Sequence, residues 1–456
     1  LEETTNVHID WQYPGGADWA EQKSLLLASG DLPDVFFGSN TLKDMDIMTN
    51  LDYFVPLEDY IDKYCPNLQA AYEAEPIMRK MITSPDGHIY TLSRKLPLRP
   101  KGCDVPFINQ KWLDNLGLEM PTTVDEWYNV LKAFKEQDAN GNGDASDEIP
   151  FSTDPNNKHI EAMAGYFGLP MNKLGIAIQN EKVVYGGVSD TYREFLSWFH
   201  KLYAEGLVDV ELYTQDSSTW EGKGNQDLYG VSIAYGSNEF TGIPAAEERG
   251  DFDSMPVLNT DKDGIWMRDT EGFSVYRTQA VITNKAEHPE IICRWFDNAF
   301  ALENGIGCNR GPVGVIVNKE DDGYHAIDTT TLSEEDQEKY SWGNLWPQSL
   351  PKYLPVDFEF VEEHPMYDEK KATEEAYEAN LTKEIIPSYW IDLDKIDTFS
   401  DTNTAIKDFF EQQQAQFVCG ELDIDNDADW QAYVDGMYSL GLEDWVATQG
   451  IEEIAK

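Results

Sequence analysis

The sequence has few basic side chains and no long apolar run. Its 34 Lys and Arg residues stand against 84 Asp and Glu residues, which gives a formal net charge of -50 at pH 7. A surface this acidic repels phosphate backbones and anionic lipids, so nucleic acid and acidic membrane surfaces are excluded as partners. No stretch approaches the ~20 consecutive apolar residues of a membrane span. Divalent cations and neutral molecules are therefore the favoured ligands.

Cysteine is also scarce and widely spaced. An odd number of cysteines without a C-x-x-C pair indicates neither a disulfide framework nor a zinc site. We expect mostly buried free thiols at the five positions, Cys65, Cys103, Cys293, Cys308 and Cys419.

Signatures of catalysis are missing. The seven histidines form no H-E-x-x-H motif, and neither a G-x-S-x-G elbow nor a Walker loop is present. The glycine pattern at 305–310 lacks the third glycine of a dinucleotide-binding loop. Paired carboxylates of a glycoside hydrolase would not stand out among 84 acids. We predict no catalytic residues and keep a carbohydrate-active enzyme as an alternative.

The length of 456 residues predicts two or three lobes, because one hydrophobic core rarely organises so long a chain. At the start, 7–11 is typical of a strand, 19–29 of a helix and 32–37 of a buried strand, which together predict a βαβ unit. Ligands of open α/β sheets lie beyond the carboxyl ends of strands. Ser39 and Asn40 are therefore candidate ligand contacts.

A second lobe is predicted from about Asp104, after a Pro-rich and basic stretch. Thr123 and Glu126 form a capping-box pattern at the start of a helix on which Trp127 repeats at core spacing. The aromatic stripe at 192–205 also predicts packing, and the last third of the chain is mainly helical.

The loop from Asp138 to Ile149 matches the first half of an EF-hand. Oxygen side chains occupy positions 1, 3 and 5, and glycine occupies position 6. Position 12, normally Glu, is Ile149 here, and carboxylates come earlier. We predict a structural Ca²⁺ ion with six candidate ligands, Asp138, Asn140, Asn142, Asp144, Asp147 and Glu148.

Tryptophans beside Gly, Pro, Ser or Asn form the other conspicuous feature. An indole in a loop can stack on the C–H face of a sugar while polar neighbours bond its hydroxyl groups. Tyr235 ends a strand-like segment, and Arg310 could bond two sugar hydroxyls or pair with a carboxylate. The candidate ligand residues from this pattern are Trp220, Tyr235, Trp266, Arg310, Trp342, Trp346 and Trp390.

Several segments together resemble a known family. They are L-L-L-A-S-G-D-L-P-D-V-F-F (25–37), D-G-H-I-Y-T-L (86–92), F-I-N-Q-K-W-L-D-N-L-G-L-E-M-P-T-T-V-D-E-W (107–127) and D-A-N-G-N-G-D-A-S-D-E-I-P-F (138–151). The chain is similar to the extracellular solute-binding proteins of family 1, the lipid-anchored receptors of ABC sugar importers. Its calcium loop resembles that of the alginate-binding members.

The resemblance implies an α/β, two-lobe fold of the type II periplasmic-binding-protein class, with a hinge, an interlobe ligand cleft and a helix-rich C-terminal part. The expected lobes are 1–104 plus about 276–313, and 105–275 plus about 314–456. It also implies a monomeric lipoprotein on the outside of a bacterial cell that delivers an oligosaccharide to ABC permease subunits. Its signal peptide, lipidated cysteine and first strand would precede the first residue of this sequence.

The charge of -50 favours a neutral sugar over a uronic acid, unlike the alginate binders. A peptide or lipid-precursor receptor of the same fold is a further alternative, because fold alone does not fix the ligand.

Overall fold

A computed structural model describes most of the 456 residues. The described residues are 5–13, 19–39, 41–97, 102, 104–154, 160–242, 250–268, 275–327, 329–341, 344–345, 349–355, 357–361, 365–386, 390–451 and 453–455.

The chain forms two compact units, each assembled from separate stretches. Unit 1 contains 1–98, 273–362 and 390–396, and unit 2 contains 99–272, 363–389 and 397–456. Our lobe prediction placed everything after about 314 in the second lobe, whereas residues 352–353 pair with a strand of unit 1. That pairing joins positions more than 250 residues apart, which composition does not reveal.

The strands in the described part of the chain are, in order, β1 Val35–Phe37, β2 Thr91–Lys95, β3 Val105–Asn109, β4 Ile149–Thr153, β5 Ile176–Gln179, β6 Lys182–Tyr185, β7 Tyr229–Ala234, β8 Phe252–Ser254, β9 Val275–Ile282, β10 Val317–Glu320, β11 Gly323–Ala326, β12 Lys352–Tyr353 and β13 Glu453–Ile454.

The α-helices described are α1 Trp19–Ser29, α2 Asp44–Met48, α3 Glu58–Tyr64, α4 Pro66–Ala74, α5 Pro76–Ile82, α6 Gln110–Leu116, α7 Val124–Glu136, α8 Asp190–Ala204, α9 Ser217–Asn225, α10 Asn238–Thr241, α11 Pro289–Asp297, α12 Leu302–Arg310, α13 Glu334–Lys339, α14 Pro365–Tyr377, α15 Ile396–Cys419, α16 Asp427–Ser439 and α17 Leu442–Thr448.

The main sheet of unit 1 has the strand order β1-β9-β2-β12. Strand β9 runs antiparallel to both β1 and β2, and β12 runs parallel to β2. The carboxyl ends of β1, β2 and β12 therefore share one edge with the start of β9. Helices α3, α4, α5 and α11 supply much of the core beside this sheet, with Ile61, Leu68 and Cys293 fully buried.

The main sheet of unit 2 has the order β4-β7-β3-β8. Strands β4 and β7 are parallel, and β3 is antiparallel to β7. Consequently the carboxyl ends of β4 and β7 lie at the same edge as the start of β3. Trp112 and Phe134 pack edge to face at 5.3 Å in the unit 2 core.

The local predictions near the start of the chain are partly confirmed. Helix α1 has the predicted bounds, and β1 lies within the predicted strand. Residues 7–11 form no strand, and β1 pairs with the distant β9 in antiparallel fashion, so the predicted βαβ unit is wrong. The apolar residues of this segment, Val7, Ile9 and Trp11, nevertheless pack against the unit 1 core.

The predicted start of α7 is confirmed. The Thr123 hydroxyl accepts the backbone N–H of Glu126 at 3.2 Å. The Glu126 carboxylate accepts from the backbone N–H of Thr122 at 2.9 Å, one residue before the capping-box position. Trp127 is fully buried, as its helical spacing predicts.

The described cysteines are free thiols. Cys65 and Cys293 are buried, Cys308 is half-buried and Cys419 is exposed, while Cys103 lies outside the described residues.

Among the described helices, none combines the length and the apolar character that crossing a bilayer requires.

Candidate functional site

The edge of the unit 1 sheet at the carboxyl end of β1 carries a pair of polar side chains, one just after β1 and one in β9. Ser39, just after β1, donates its hydroxyl to Gln279 Oε1 at 3.1 Å. The positions are 240 residues apart in sequence and meet because β1 and β9 are paired. Ser39 therefore stands at a strand end, as predicted, whereas Asn40 lies outside the described residues.

Trp390 belongs to the same unit and lies under a basic side chain. The Arg277 guanidinium sits 4.5 Å from the Trp390 ring and forms an ion pair with Asp44. The indole N–H of Trp390 donates to the Met81 carbonyl at 2.9 Å, and the residue is half-buried. The ring is thus held in place with part of its surface still reaching solvent.

The corresponding edge of the unit 2 sheet carries Tyr235, which directly follows β7 as predicted. Its ring is half-buried, and the Lys370 ammonium lies 4.4 Å from the ring centroid. The next residues are tied to α14, because Glu369 accepts the backbone N–H of Ser237 at 3.0 Å and also its hydroxyl. Tyr235 is therefore a positioned aromatic at a strand end.

Three carboxylates gather at this edge. Asp104 precedes β3, Asp154 follows β4, and Glu239 lies on α10 just beyond β7. The surface area of Glu239 as a whole is exposed, yet protein atoms closely surround its carboxyl group. The resulting loss of hydration raises the pKa of this carboxyl to about 7. Repulsion by Asp104 and, more weakly, by Asp154 adds to the rise, against a hydrogen bond from the Tyr235 N–H and attraction by Lys370. The edge is negative at neutral pH.

Two predicted tryptophans offer no face to a ligand. Trp220 lies in helix α9 rather than in a loop, is 3% exposed, and donates its indole N–H to Ser232 Oγ at 3.1 Å. Trp266 is 0% exposed, with its ring 5.6 Å from Tyr166 and 5.8 Å from Tyr377. Both tryptophans were predicted to lie in loops because Gly and Ser residues are close to them in sequence. Tertiary packing instead buries both side chains.

Of the remaining predicted ligand residues, Arg310 lies in the described part of the chain. Trp342 and Trp346 lie outside the described residues. Arg310 ends α12, with its guanidinium 6.0 Å from the Phe360 ring, and burial lowers its pKa to about 10. Arg310 packs beside the small apolar cluster that contains Ile306 and Leu354.

A separate groove of about 760 Å³ lies within unit 2. Two of its amide side chains already bond the groove's own backbone: Asn259 Oδ1 accepts from the Gly264 N–H, and Asn380 donates to the Gly264 carbonyl. Tyr235 and the three carboxylates of the sheet edge do not line it. We therefore place the candidate ligand surface at the strand ends instead.

The predicted calcium loop links α7 to β4 and turns through Gly141 and Gly143, whose φ angles are 75° and 94°. Side-chain oxygens hold the turn. Asp138 accepts the Gly143 N–H at 3.0 Å, and Asn142 accepts the Asp144 N–H at 2.7 Å. Left-handed backbone at the glycines lets the chain curl so that the oxygens converge.

Two carboxylate oxygens in this loop are buried without a hydrogen-bond partner, Asp138 Oδ1 and Glu148 Oε2. The other oxygen of Glu148 accepts the Ala139 N–H at 2.8 Å, and burial raises the pKa of Glu148. An unpaired buried carboxylate oxygen is costly unless a cation compensates it. The residues present thus fit a hard, oxygen-binding ion, with Glu148 in place of the missing position-12 glutamate.

Asp147 faces the same loop and accepts from both amides, Asn140 at 3.2 Å and Asn142 at 2.7 Å. A bound cation would take over these oxygens, because Ca²⁺ binds six to eight oxygen ligands.

Our sequence reasoning missed Gln279, Arg277, Asp104, Asp154 and Glu239. The sequence did contain an indication of Gln279 and Arg277, since the polar residues R-T-Q (277–279) interrupt an otherwise apolar strand-like run. The three acids could not be singled out, because only the sheet topology brings them to one edge.

The chain is similar to known proteins in both sequence and fold. Residues 1–305 match the family described as bacterial extracellular solute-binding protein. A curated relative from Streptococcus pneumoniae, the fructooligosaccharide ABC transporter substrate-binding protein FusA, is 34% identical over 327 residues, 69% of this chain and 59% of the relative. The chain thus spans about three-fifths of that relative's length in the match.

Solved structures of FusA are similar along nearly the whole chain. The complex with kestose has a TM-score of 0.86 and 26% identity, and it covers 98% of this chain and 92% of that one. An EF-hand mutant of FusA in complex with fructo-nystose has a TM-score of 0.84 at the same identity and coverage. The predicted family resemblance and type II fold class are confirmed. The matched family is one of solute-binding proteins rather than of enzymes.

Proposed function

Because the chain belongs to the bacterial extracellular solute-binding protein family, we propose that it captures an oligosaccharide and delivers it to the membrane subunits of an ABC importer. The observation that supports this most is the likeness, over 98% of the chain, to a structure with kestose bound. A neutral fructo-oligosaccharide is therefore the first ligand to test.

A neutral ligand also suits the unit 2 sheet edge. Asp104, Asp154 and Glu239 place negative charge beside Tyr235, and Lys370 is the facing cation. A uronic acid brought to this edge would be repelled, whereas a neutral sugar can donate its hydroxyls to the carboxylates. The overall charge of -50 acts in the same direction.

We assign ligand contacts to Ser39 with Gln279 and to Trp390 in unit 1, and to Tyr235 in unit 2. Tyr235 and Trp390 supply partly exposed rings, and the Ser39–Gln279 pair supplies a hydroxyl and an amide. Trp220 and Trp266 act instead as packing residues. The roles of Asn40, Arg310, Trp342 and Trp346 stay predictions.

The ligand assignment is tested by calorimetric titration of a neutral fructo-oligosaccharide into Tyr235→Ala and Trp390→Ala. Each should bind about 5- to 30-fold more weakly, since stacking an aromatic ring on a sugar contributes on the order of 1–2 kcal/mol. Tyr438→Ala, which removes a 42% exposed tyrosine on α16, is the matched control and should bind normally. Unchanged affinity in both test variants, with melting near that of the unmodified protein, would refute the assignment.

The enzyme alternative is tested separately by overnight incubation with the same sugar and product chromatography. Shorter products would contradict the proposal, and an intact sugar would support it.

We further propose that the loop holds one structural Ca²⁺ ion, with oxygen ligands from Asp138, Asn140, Asn142, Asp144, Asp147 and Glu148. The two unpartnered buried oxygens support this, as does the EF-hand of FusA. The predicted lipid anchor, permease partner, monomeric state and hinge are further parts of the same proposal.

A further inference from the structure

The β10–β11 hairpin of unit 1 brings an imidazole and two carboxylates together. Its register pairs Asn318 with His325 and Glu320 with Gly323. Directly paired residues of an antiparallel ladder point to the same face, so Glu320 and His325 are diagonal neighbours on one face. Asp322 lies in the turn between the strands. The donors therefore come from both strands and from the turn that joins them.

The donor atoms are close enough for a single ion. One ligand atom each of Glu320, Asp322 and His325 lies within 4.8 Å of the others, and His325 Nε2 is 2.9 Å from Asp322 Oδ1. Ligands about 2.1 Å from a tetrahedral Zn²⁺ ion stand about 3.4 Å apart. Small side-chain rotations would therefore bring the three donor atoms to the spacing of zinc ligands.

The lysine beside Glu320 pairs with a carboxylate outside this group. Lys319 points to the opposite face and pairs with Glu303 at 2.7 Å. Within the described residues, the exposed Glu320 carboxylate has no hydrogen bond or ion pair. The opposite face of the hairpin is anchored, since Val317 is fully buried and Tyr324 packs on the same apolar cluster. The three donors thus stand on a fixed backbone.

We propose that Glu320, Asp322 and His325 bind a Zn²⁺-like divalent cation. One imidazole with two carboxylates suits zinc, whereas Ca²⁺ needs more oxygen ligands than the hairpin supplies. This site is separate from the oxygen-only calcium loop of unit 2 and does not depend on the proposed sugar transport. A bound ion would join the two strands across their turn.

The test is calorimetric titration of Zn²⁺ into the calcium-saturated protein at pH 7, with excess Ca²⁺ present so that the loop of unit 2 is occupied. The unmodified protein should bind one Zn²⁺ ion. Glu320→Gln and His325→Ala should each weaken that binding at least tenfold. Asp321→Asn removes the same charge from the adjacent exposed residue outside the donor set and should change the affinity less than twofold.

Absence of a zinc site in the unmodified protein would overturn the proposal. Equal losses of Zn²⁺ affinity in Asp321→Asn and Glu320→Gln would also overturn the proposal, because binding would then reflect only diffuse negative charge. Glu320 is exposed, so its variant decides the question even if His325→Ala fails to fold.

Discussion

Glu148→Gln should have opposite effects on stability with and without calcium. Without calcium, the unmodified protein buries a carboxylate with one unpartnered oxygen, and burial raises its pKa. The amide of the variant keeps an acceptor for the Ala139 N–H and removes the charge. Since a buried charge without a compensating cation costs more than a buried neutral amide, the variant should melt at or above the unmodified temperature in chelator.

With calcium present, the order should reverse. An ion at one hundred times its dissociation constant stabilises the folded state by about 2.7 kcal/mol. For a unit of this size that corresponds to about 5–10 °C in melting temperature. Calcium should produce this rise in the unmodified protein and only a small fraction of it in Glu148→Gln.

Differential scanning calorimetry in calcium and in chelator measures all four values. Glu119→Gln, an exposed carboxylate of the same unit, is the control and should respond to calcium like the unmodified protein. If calcium raises the melting temperature of Glu148→Gln as much as that of the unmodified protein, Glu148 is not a ligand. If calcium has no effect on the unmodified protein, the loop binds no calcium.

Four further substitutions test the packing and electrostatics of unit 2. Trp266→Ala should lower the free energy of unfolding by about 3–5 kcal/mol in chemical denaturation, because the indole is fully enclosed; a loss below about 1 kcal/mol would contradict its packing role. The pKa of Glu239 is raised from 4.5 to about 7 in the folded protein, so this group stabilises the fold at low pH and loses that contribution as pH rises through about 7. Glu239→Gln should therefore melt above the unmodified protein at pH 8 and close to it at pH 5, and equal melting at pH 8 would refute the raised pKa. Gly165→Ala should be strongly destabilising because its Cβ would lie 2.0 Å from the Ile265 carbonyl oxygen, whereas Gly222→Ala, in helix α9 with open space, should gain up to about 1 kcal/mol; similar melting of these two variants would contradict the close approach.

Features that depend on contacts between residues close in sequence could be predicted from the sequence alone. The Thr123 cap and the oxygen spacing of the calcium loop both depend on contacts within about ten residues. Contacts of this kind can be recognised from the residue types and spacing in a single sequence.

Long-range pairing explains what the sequence did not reveal. Residues 7–11 alternate like a strand but form none, and β1 pairs with a strand some 240 residues later. Trp266 was expected in a loop, yet Tyr377, over a hundred residues away, covers it. The acids at the unit 2 edge come from three elements that only the sheet order places together.

The central claim is the capture of a neutral oligosaccharide, and calorimetric titration with two sugars of equal length tests it most directly. A neutral fructo-oligosaccharide should give saturable binding, and an oligogalacturonate should bind at least tenfold more weakly at pH 7.5, where Asp104 and Asp154 repel it. No binding of the neutral sugar, or tighter binding of the uronate, would contradict the claim.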